Sequence, residues 1–234
     1  MSNPRILLTG SSGYIGGRLK LALKERGYPV RLLVRTASLA SSDEDLVIGD
    51  AVDRAVLDRA LANIDVAYYF IHSLASSRDF SEEDRLIATH FAEAASKAKV
   101  KKIIYLGGLG SSYDALSSHL KSRHEVGEIL RANAVGVQVI EFRASIVIGS
   151  GSLSFELVKA LTEKLPVMVT PKWVWTKAQP IAIEDVIEYL VAAIDLPLAG
   201  SLRVEIGGSD VTSYLGIMRE FARQRKLRRW ILRV

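Results

Sequence analysis

The chain has 234 residues and no cysteine, which excludes disulfides and thiolate metal sites. Its four histidines, at 72, 90, 119 and 124, fall in no metal-ligand spacing, so no metal is expected. No apolar run approaches the ~20 residues that cross a bilayer. The first apolar run begins within a few residues of Met1 and leaves no room for a signal peptide, so a cytoplasmic protein is expected. Internal repeats and low-complexity linkers are also missing. What remains is 49% hydrophobic and 24% charged, a composition that fits one large globular domain.

The net charge of +5 is concentrated at one end. Residues 219–234 hold seven basic side chains against Glu220 alone, so the rest of the chain sums to about neutral and offers no nucleic-acid groove. Trp230, Ile231 and Leu232 are mixed with these arginines. One reading is a final helix from about 212 whose polar face is solvated and whose apolar residues dock on the core. The other is a peripheral membrane-surface or partner-binding segment.

Residues 6–16 carry the strongest pattern, Ile-Leu-Leu-Thr-Gly-Ser-Ser-Gly-Tyr-Ile-Gly. A short apolar run reads as a buried strand. Gly10, Gly13 and Gly16 follow at three-residue intervals, and Leu19 and Leu23 recur at helical spacing up to Gly27. Strand, glycine turn and helix in that order make a dinucleotide-binding crossover, with the pyrophosphate at the helix N-terminus. Further along, strands are predicted near 29–35, 45–49, 65–71, 101–107 and 137–143. Helices are predicted near 53–62, 80–99 and 116–133. Asp53 and Ser81 stand at plausible helix starts. This alternation implies an α/β fold of Rossmann type, a doubly wound parallel sheet with helices on both faces. After residue 150 the rhythm breaks into helices near 154–164 and 184–194, a Pro- and Trp-rich stretch, a strand at 202–206 and a helix from 212. The expected organisation is a dinucleotide-binding core over 1–150 with a smaller substrate-side region over 151–234, interleaved into one overall domain.

These motifs resemble the extended and atypical short-chain dehydrogenase/reductase superfamily. Thr9 with the Gly-x-x-Gly-x-x-Gly turn, Val47-Ile48-Gly49-Asp50, Tyr69-Phe70-Ile71-His72-Ser73, Ile103-Ile104-Tyr105-Leu106-Gly107-Gly108 and Gln179-Pro180-Ile181-Ala182-Ile183-Glu184-Asp185-Val186 all carry the likeness. The chain resembles bacterial NAD-dependent epimerase/dehydratase-like proteins, with NmrA-type regulators and an accessory subunit of respiratory complex I as further relatives. Such relatives often continue past this point, which would make the chain a shortened form. The resemblance implies a cofactor along Gly10, Ser12, Gly13, Tyr14, Ile15, Gly16, Arg35, Asp50, Ala51, His72, Gly107 and Arg123.

NAD enzymes usually place an acid about twenty residues past the glycines, on the ribose 2′-hydroxyl. Here the second strand ends Leu32-Leu33-Val34-Arg35-Thr36, with no acid before Asp43. Arg35 instead suits a 2′-phosphate, so NADP(H) is expected over NAD(H), with Arg18 helping if it turns back over the loop.

The catalytic pattern departs from the family. Its enzymes use a Ser or Thr after the fifth strand and a Tyr-x-x-x-Lys on the next helix. In this chain the strand ends Gly107-Gly108-Leu109, and the helix reads Ser118-His119-Leu120-Lys121-Ser122-Arg123. In register, His119 replaces the tyrosine and Arg123 the lysine. His119 or Tyr113 is the expected proton donor, Arg123 the ribose or carboxylate contact, and His72 a further polar group at the end of the fourth strand. Two readings stay open. One is an oxidoreductase or epimerase-like enzyme acting on a small molecule. The other is a non-catalytic NADP-binding redox sensor or assembly protein. Phe155, Met168, Trp173 and Trp175 suit an apolar ligand, and a plain core explains them equally well.

Overall fold

A computed structural model of the chain describes residues 3–36, 44–72, 80–110, 117–197 and 199–233. The chain divides into two units. The first comprises Met1–Arg143 and Ile187–Glu205, the second Ala144–Val186 and Ile206–Val234.

The first unit alternates strand and helix: β1 (Ile6–Thr9), α1 (Tyr14–Glu25), β2 (Val30–Val34), β3 (Asp45–Ile48), α2 (Arg54–Leu61), β4 (Val66–Tyr69), α3 (Phe80–Lys97), β5 (Lys102–Gly108), α4 (Ser118–Asn133) and β6 (Gln138–Ala144). The chain continues with β7 (Val147–Ile148), α5 (Leu153–Lys164), β8 (Val167–Thr170), a 3-10 turn (Lys172–Trp175), β9 (Lys177–Ala178), β10 (Ile181–Ala182), α6 (Ile183–Ala192), β11 (Leu202–Ile206), β12 (Thr212–Ser213), α7 (Tyr214–Gln224) and β13 (Trp230–Arg233). The main sheet runs β11-β6-β5-β4-β1-β2-β3. β1 pairs in parallel with β2 and β4, and the pairs β2–β3 and β4–β5 are parallel too. This is the doubly wound Rossmann order, and the strand order reverses between β1 and β4, where such sheets bind ligands.

Burial explains the central strands. Ile6, Leu7 and Leu8 of β1 and Tyr68 and Tyr69 of β4 are wholly buried, as a strand covered on both faces requires. Thr9 closes β1 without leaving a buried hydroxyl unpaired. Its Oγ1 donates to the Tyr68 carbonyl at 2.9 Å and accepts from Phe70 N at 2.8 Å, which ties the ends of β1 and β4 together. Asp53 caps α2 by accepting from Ala55 N at 2.8 Å. Ser81 is not a cap, because α3 already begins at Phe80. Buried Lys102 donates to the carbonyls of Ala193, Ile194 and Leu196, satisfying the chain where α6 ends.

In the second unit Val158, Met168, Val174, Leu215 and Met218 form a separate core. Here the expectation of a helix running from 212 to the end is corrected. α7 stops at Gln224, Lys226 takes a left-handed φ of 56°, and Leu227 N returns to the Ala222 carbonyl at 2.8 Å. That C-terminal closure reverses the chain, and residues 230–233 pair in parallel with β8 as β13.

Candidate functional site

A cleft of about 720 Å³ opens at the carboxyl ends of the central strands. Its walls are the turn after β1 (Gly10, Ser11, Ser12, Gly13), the end of β2 (Val34, Arg35, Thr36), the loop after β3 (Gly49, Asp50, Ala51) and the end of β4 (Phe70, Ile71, His72). Of the residues expected along a cofactor, Gly10, Ser12, Gly13, Arg35, Asp50, Ala51 and His72 line this cleft. Tyr14, Ile15 and Gly16 form the first turn of α1, Gly107 lies in β5 and Arg123 on α4, and none of these is in the cleft wall. Arg18 is not in the cleft wall, and its guanidinium lies over the ring of Tyr14 at the start of α1, 5.8 Å from its centre.

The three glycines differ in what they need. Gly10 has φ +67°, and a Cβ there would lie 2.4 Å from the Phe70 carbonyl oxygen, so turn and close approach both require glycine. A Cβ on Gly16 would lie 2.1 Å from the Gly10 carbonyl oxygen, which makes it the contact that packs α1 against the turn. At Gly13 the nearest atom to a built Cβ is the Gly10 oxygen, at 3.3 Å. This residue is the N-cap of α1, offers no side-chain cap, and has no acidic residue in the turn that follows. A Cβ at Gly13 would be tight against the Gly10 oxygen, yet the fold demands glycine there far less than at Gly10 or Gly16. An anion approaching the start of α1 asks for its missing side chain. The turn therefore fits a dinucleotide pyrophosphate.

Arg35 is exposed at the end of β2, and no ion pair holds it among the described residues. Asp50 Oδ1 accepts from Val52 N at 3.0 Å, shaping the loop beneath the cleft. Three charged wall residues, Lys20, Glu44 and Glu83, escaped the sequence reading. Lys20 reaches Glu44 at 3.3 Å, and Lys24 donates to the same Glu44 oxygen. Lys24 holds the Glu44 carboxyl below the usual carboxylate range, against the opposing effect of burial. The side chain of Glu44 is nearly buried, and its second oxygen, Oε2, has no hydrogen-bond partner among the described residues. The only signal in the sequence was the i, i+4 spacing of Lys20 and Lys24, which is commonplace on an exposed helix face.

A second group of polar side chains gathers around the end of β4. The His72 ring lies 6.3 Å from the ring of Tyr105. The Tyr105 hydroxyl donates to the Arg123 carbonyl at 2.9 Å, and Arg123 Nη2 donates to the Leu106 carbonyl at 2.5 Å. Burial pushes the His72 pKa well below its ordinary value, and the charges of Arg123 and His119 add to the effect. His119, exposed on the first turn of α4, is also lowered, by partial burial and then by Arg123, with Asp84 opposing. Asp84 accepts from Ser122 Oγ at 2.9 Å. His72, His119 and Arg123 thus share one electrostatic neighbourhood, and both histidines favour the neutral form at pH 7. Burial raises the Tyr105 hydroxyl to about 12, so it remains protonated. Tyr113, Ser111, Ser112 and Ser73 lie outside the described residues.

Where the family carries a hydroxyl after the fifth strand, space is taken by α4. A Cβ on Gly108 would lie 2.4 Å from Leu120 Cδ1, so any side chain there must displace Leu120. His124 Nε2 donates to the Gly108 carbonyl at 2.9 Å and so anchors this strand end. Among the described residues no cluster of three His, Cys, Asp or Glu side chains could hold a metal ion, and no helix is long and apolar enough to cross a membrane. Of the residues suited to an apolar ligand, Met168 is buried in the second unit's core. Phe155 stacks edge-on with Phe221, Trp173 does so with Tyr214, and Trp175 lies under Arg219.

The model of the NmrA-like family matches residues 2–223 of this chain. A ceramide reductase of Caulobacter vibrioides is 25% identical over 225 residues, covering 92% of this chain and 68% of the relative. A 3-diazoavenalumate denitrifying reductase of a Streptomyces species is 34% identical over 110 residues, which is 43% of this chain and 36% of that relative, so the chain spans little more than a third of it. In solved structures, MoeE5 in complex with UDP-glucose and NAD superposes with a TM-score of 0.79 at 19% identity, over 98% of this chain and 85% of MoeE5. That likeness is one of fold.

Proposed function

The chain belongs to the NmrA-like family, and from that membership together with the cleft at β1 and β4 we propose an NADP(H)-dependent oxidoreductase acting on a small carbonyl or quinone-type molecule. The observation that carries the reading is Gly13. At this N-cap position the protein's own packing is far less restrictive than at Gly10 or Gly16, and the glycine turn around it lines the same cleft as Arg35. The Caulobacter and Streptomyces relatives, both named as reductases, support the reaction class.

In this reading the α1 N-terminus and Ser12 hold the pyrophosphate, Asp50 and Ala51 border the adenine end, and Arg35 binds the 2′-phosphate with its planar fork. The nicotinamide, when bound, supplies the hydride. His72, neutral at the end of β4, would border the cofactor, and the Arg123 guanidinium would orient a ribose hydroxyl or the substrate. His119 or Tyr113 delivers the proton. His119 is the stronger choice on position, since it shares the neighbourhood of His72 and Arg123, but its lowered pKa means that few molecules carry the needed proton at pH 7.

Glu44 favours a competing reading for the cofactor. Its Oε2 on the cleft wall, without a partner among the described residues, is an acceptor of the type a ribose hydroxyl needs, which would suit NAD(H). Its charge is met by Lys20 and Lys24, however, whereas no ion pair engages Arg35 among the described residues, and that favours the extra phosphate. The runner-up for activity is a redox sensor without turnover, for which the missing Ser-Tyr-Lys set speaks.

Turnover is tested by NADPH oxidation across a panel of carbonyl compounds and quinones, with His119→Phe and Tyr113→Phe made separately. One variant should lose a factor of about 10²–10⁴, the usual worth of general acid catalysis, and the other should stay near wild type. Full activity in both would remove the proposed donor. No oxidation of NADPH by any compound would favour the sensor.

A further inference from the structure

Outside the cleft, the second unit carries an apolar surface that the oxidoreductase reading does not use. β8 and β13 form a two-stranded parallel sheet that pairs with no other strand among the described residues. Its inner face is satisfied. Met168 is buried, Ile231 packs on the second core, and Thr170 Oγ1 donates to the Leu232 carbonyl while accepting from Trp175 Nε1. On the outer face Val167 is 55% exposed, Val169 64%, Trp230 72% and Leu232 52%. The register sets Trp230 beside Val167 and Leu232 beside Val169, so the four make one continuous patch. A shallow apolar cavity of about 200 Å³ adjoins it, lined in part by Leu157, Leu165 and Trp173, which are also exposed. Contiguous exposed apolar patches of this kind mark an interaction site, whereas exposed apolar residues standing singly do not.

The charges around the patch say what covers it. Residues 164–178 and 221–234 contain nine Lys or Arg and no acid. Lys164 and Arg228 stand exposed before the two strands and Lys172 after β8. The nearby acids are engaged, Glu163 with Arg225 at 3.5 Å and Glu220 with Arg223 at 2.6 Å. Arg229 is committed to the protein itself, donating to the carbonyls of Thr162 and Glu163 at the end of α5. A second copy of the chain is a poor occupant, because self-association would set this basic rim against itself. An apolar face holding an exposed tryptophan within a basic rim complements a bilayer surface, where indole sits at the headgroup level and anionic lipids attract Lys and Arg.

We propose that the outer face of β8 and β13 docks this protein peripherally on a membrane surface bearing anionic lipids, with Trp230, Leu232, Val167 and Val169 entering the interface and Lys164, Lys172 and Arg228 meeting the headgroups. The proposal is independent of the dinucleotide cleft.

The test is co-sedimentation of the full chain with vesicles of phosphatidylcholine alone and of equal parts phosphatidylcholine and phosphatidylglycerol. Binding to the anionic vesicles should be stronger by roughly tenfold or more, since each basic residue near such a surface is worth about a factor of five. It should weaken as added salt screens the charges. Two variants probe the two components. Trp230→Ser with Val169→Ser removes apolar contact, and Lys172→Glu with Arg228→Glu reverses charge at exposed positions. Each should lower binding at least severalfold while the far-ultraviolet circular dichroism is unchanged. Wild type that ignores anionic vesicles, or two folded variants that bind as well as wild type, would overturn the proposal. Light scattering that finds a dimer dissolved by the Trp230→Ser, Val169→Ser variant would assign the face to a second copy and overturn it equally.

Discussion

At the scale of single residues, His72 makes the account testable without any substrate. In the folded protein its pKa lies well below the ordinary value because its ring is buried near Arg123 and His119. The unfolded chain takes up a proton near pH 6.5, and the folded chain resists it until lower pH. Stability is therefore full above about pH 7 and falls as the pH drops through 6.5 toward the folded-state pKa, by at most about 1.4 kcal/mol per pH unit for each such histidine. His119 and His124 are lowered too and act with the same sign. His72→Gln should flatten the acid limb, as measured by urea unfolding at about pH 7.5 and about pH 5.5. An unaltered slope would mean that His72 is not the buried neutral group described here. If His119 is the proton donor, kcat/KM should rise toward acid pH with a midpoint below the ordinary histidine value, because only its charged form has the proton to give.

At the scale of elements, the β1 turn separates folding from binding in one pair of variants. Gly16→Val forces a branched side chain against the Gly10 carbonyl and should destabilise the fold by several kcal/mol or prevent it, as overpacking at a fixed backbone does. At Gly13 a Cβ meets the Gly10 carbonyl oxygen at 3.3 Å, a tight contact but far milder than the 2.1 Å approach at Gly16. Gly13→Val should leave a cooperatively folded domain that no longer binds dinucleotide, because the new side chain stands at the start of α1, where a phosphate would sit. Thermal melts and cofactor titration of both variants decide the matter. A Gly13→Val protein that binds as well as wild type would remove this turn from the phosphate site. The elements that build the turn were legible from residue pattern alone. Apolar triplets such as Ile6-Leu7-Leu8 and the helical recurrence of Leu19 and Leu23 are long and regular enough to read, and β11 falls on the expected residues 202–206. Elements β7, β8, β9, β10 and β12 are two to four residues long and were not read. A two-residue bridge such as Lys177–Ala178 with Thr212–Ser213 has no periodicity and exists only through its distant partner. The strand at 230–233 was hidden for another reason, since the chain reversal at Lys226 depends on a left-handed residue that is not glycine.

At the scale of the whole molecule, the β1–β4 strand-order reversal puts the glycine turn, Arg35 and His72 along one cleft, and that much follows from the strand–helix alternation. The Lys20–Glu44 part of the wall does not. It is assembled by a side-chain reach between α1 and the start of β3, which no local pattern announces. The most direct test is a comparison of NADPH and NADH by fluorescence titration and thermal shift, in wild type and Arg35→Ala. A charged hydrogen-bonding contact to the 2′-phosphate is worth roughly 1.5–3 kcal/mol, about tenfold to a hundredfold in affinity. The account predicts that NADPH binds more tightly than NADH by that factor and raises the melting temperature of the wild type more at equal concentration. It predicts that Arg35→Ala erases the difference by weakening NADPH alone. Equal affinity for the two cofactors in the wild type would contradict the assignment of Arg35, and no binding of either would contradict the dinucleotide cleft itself.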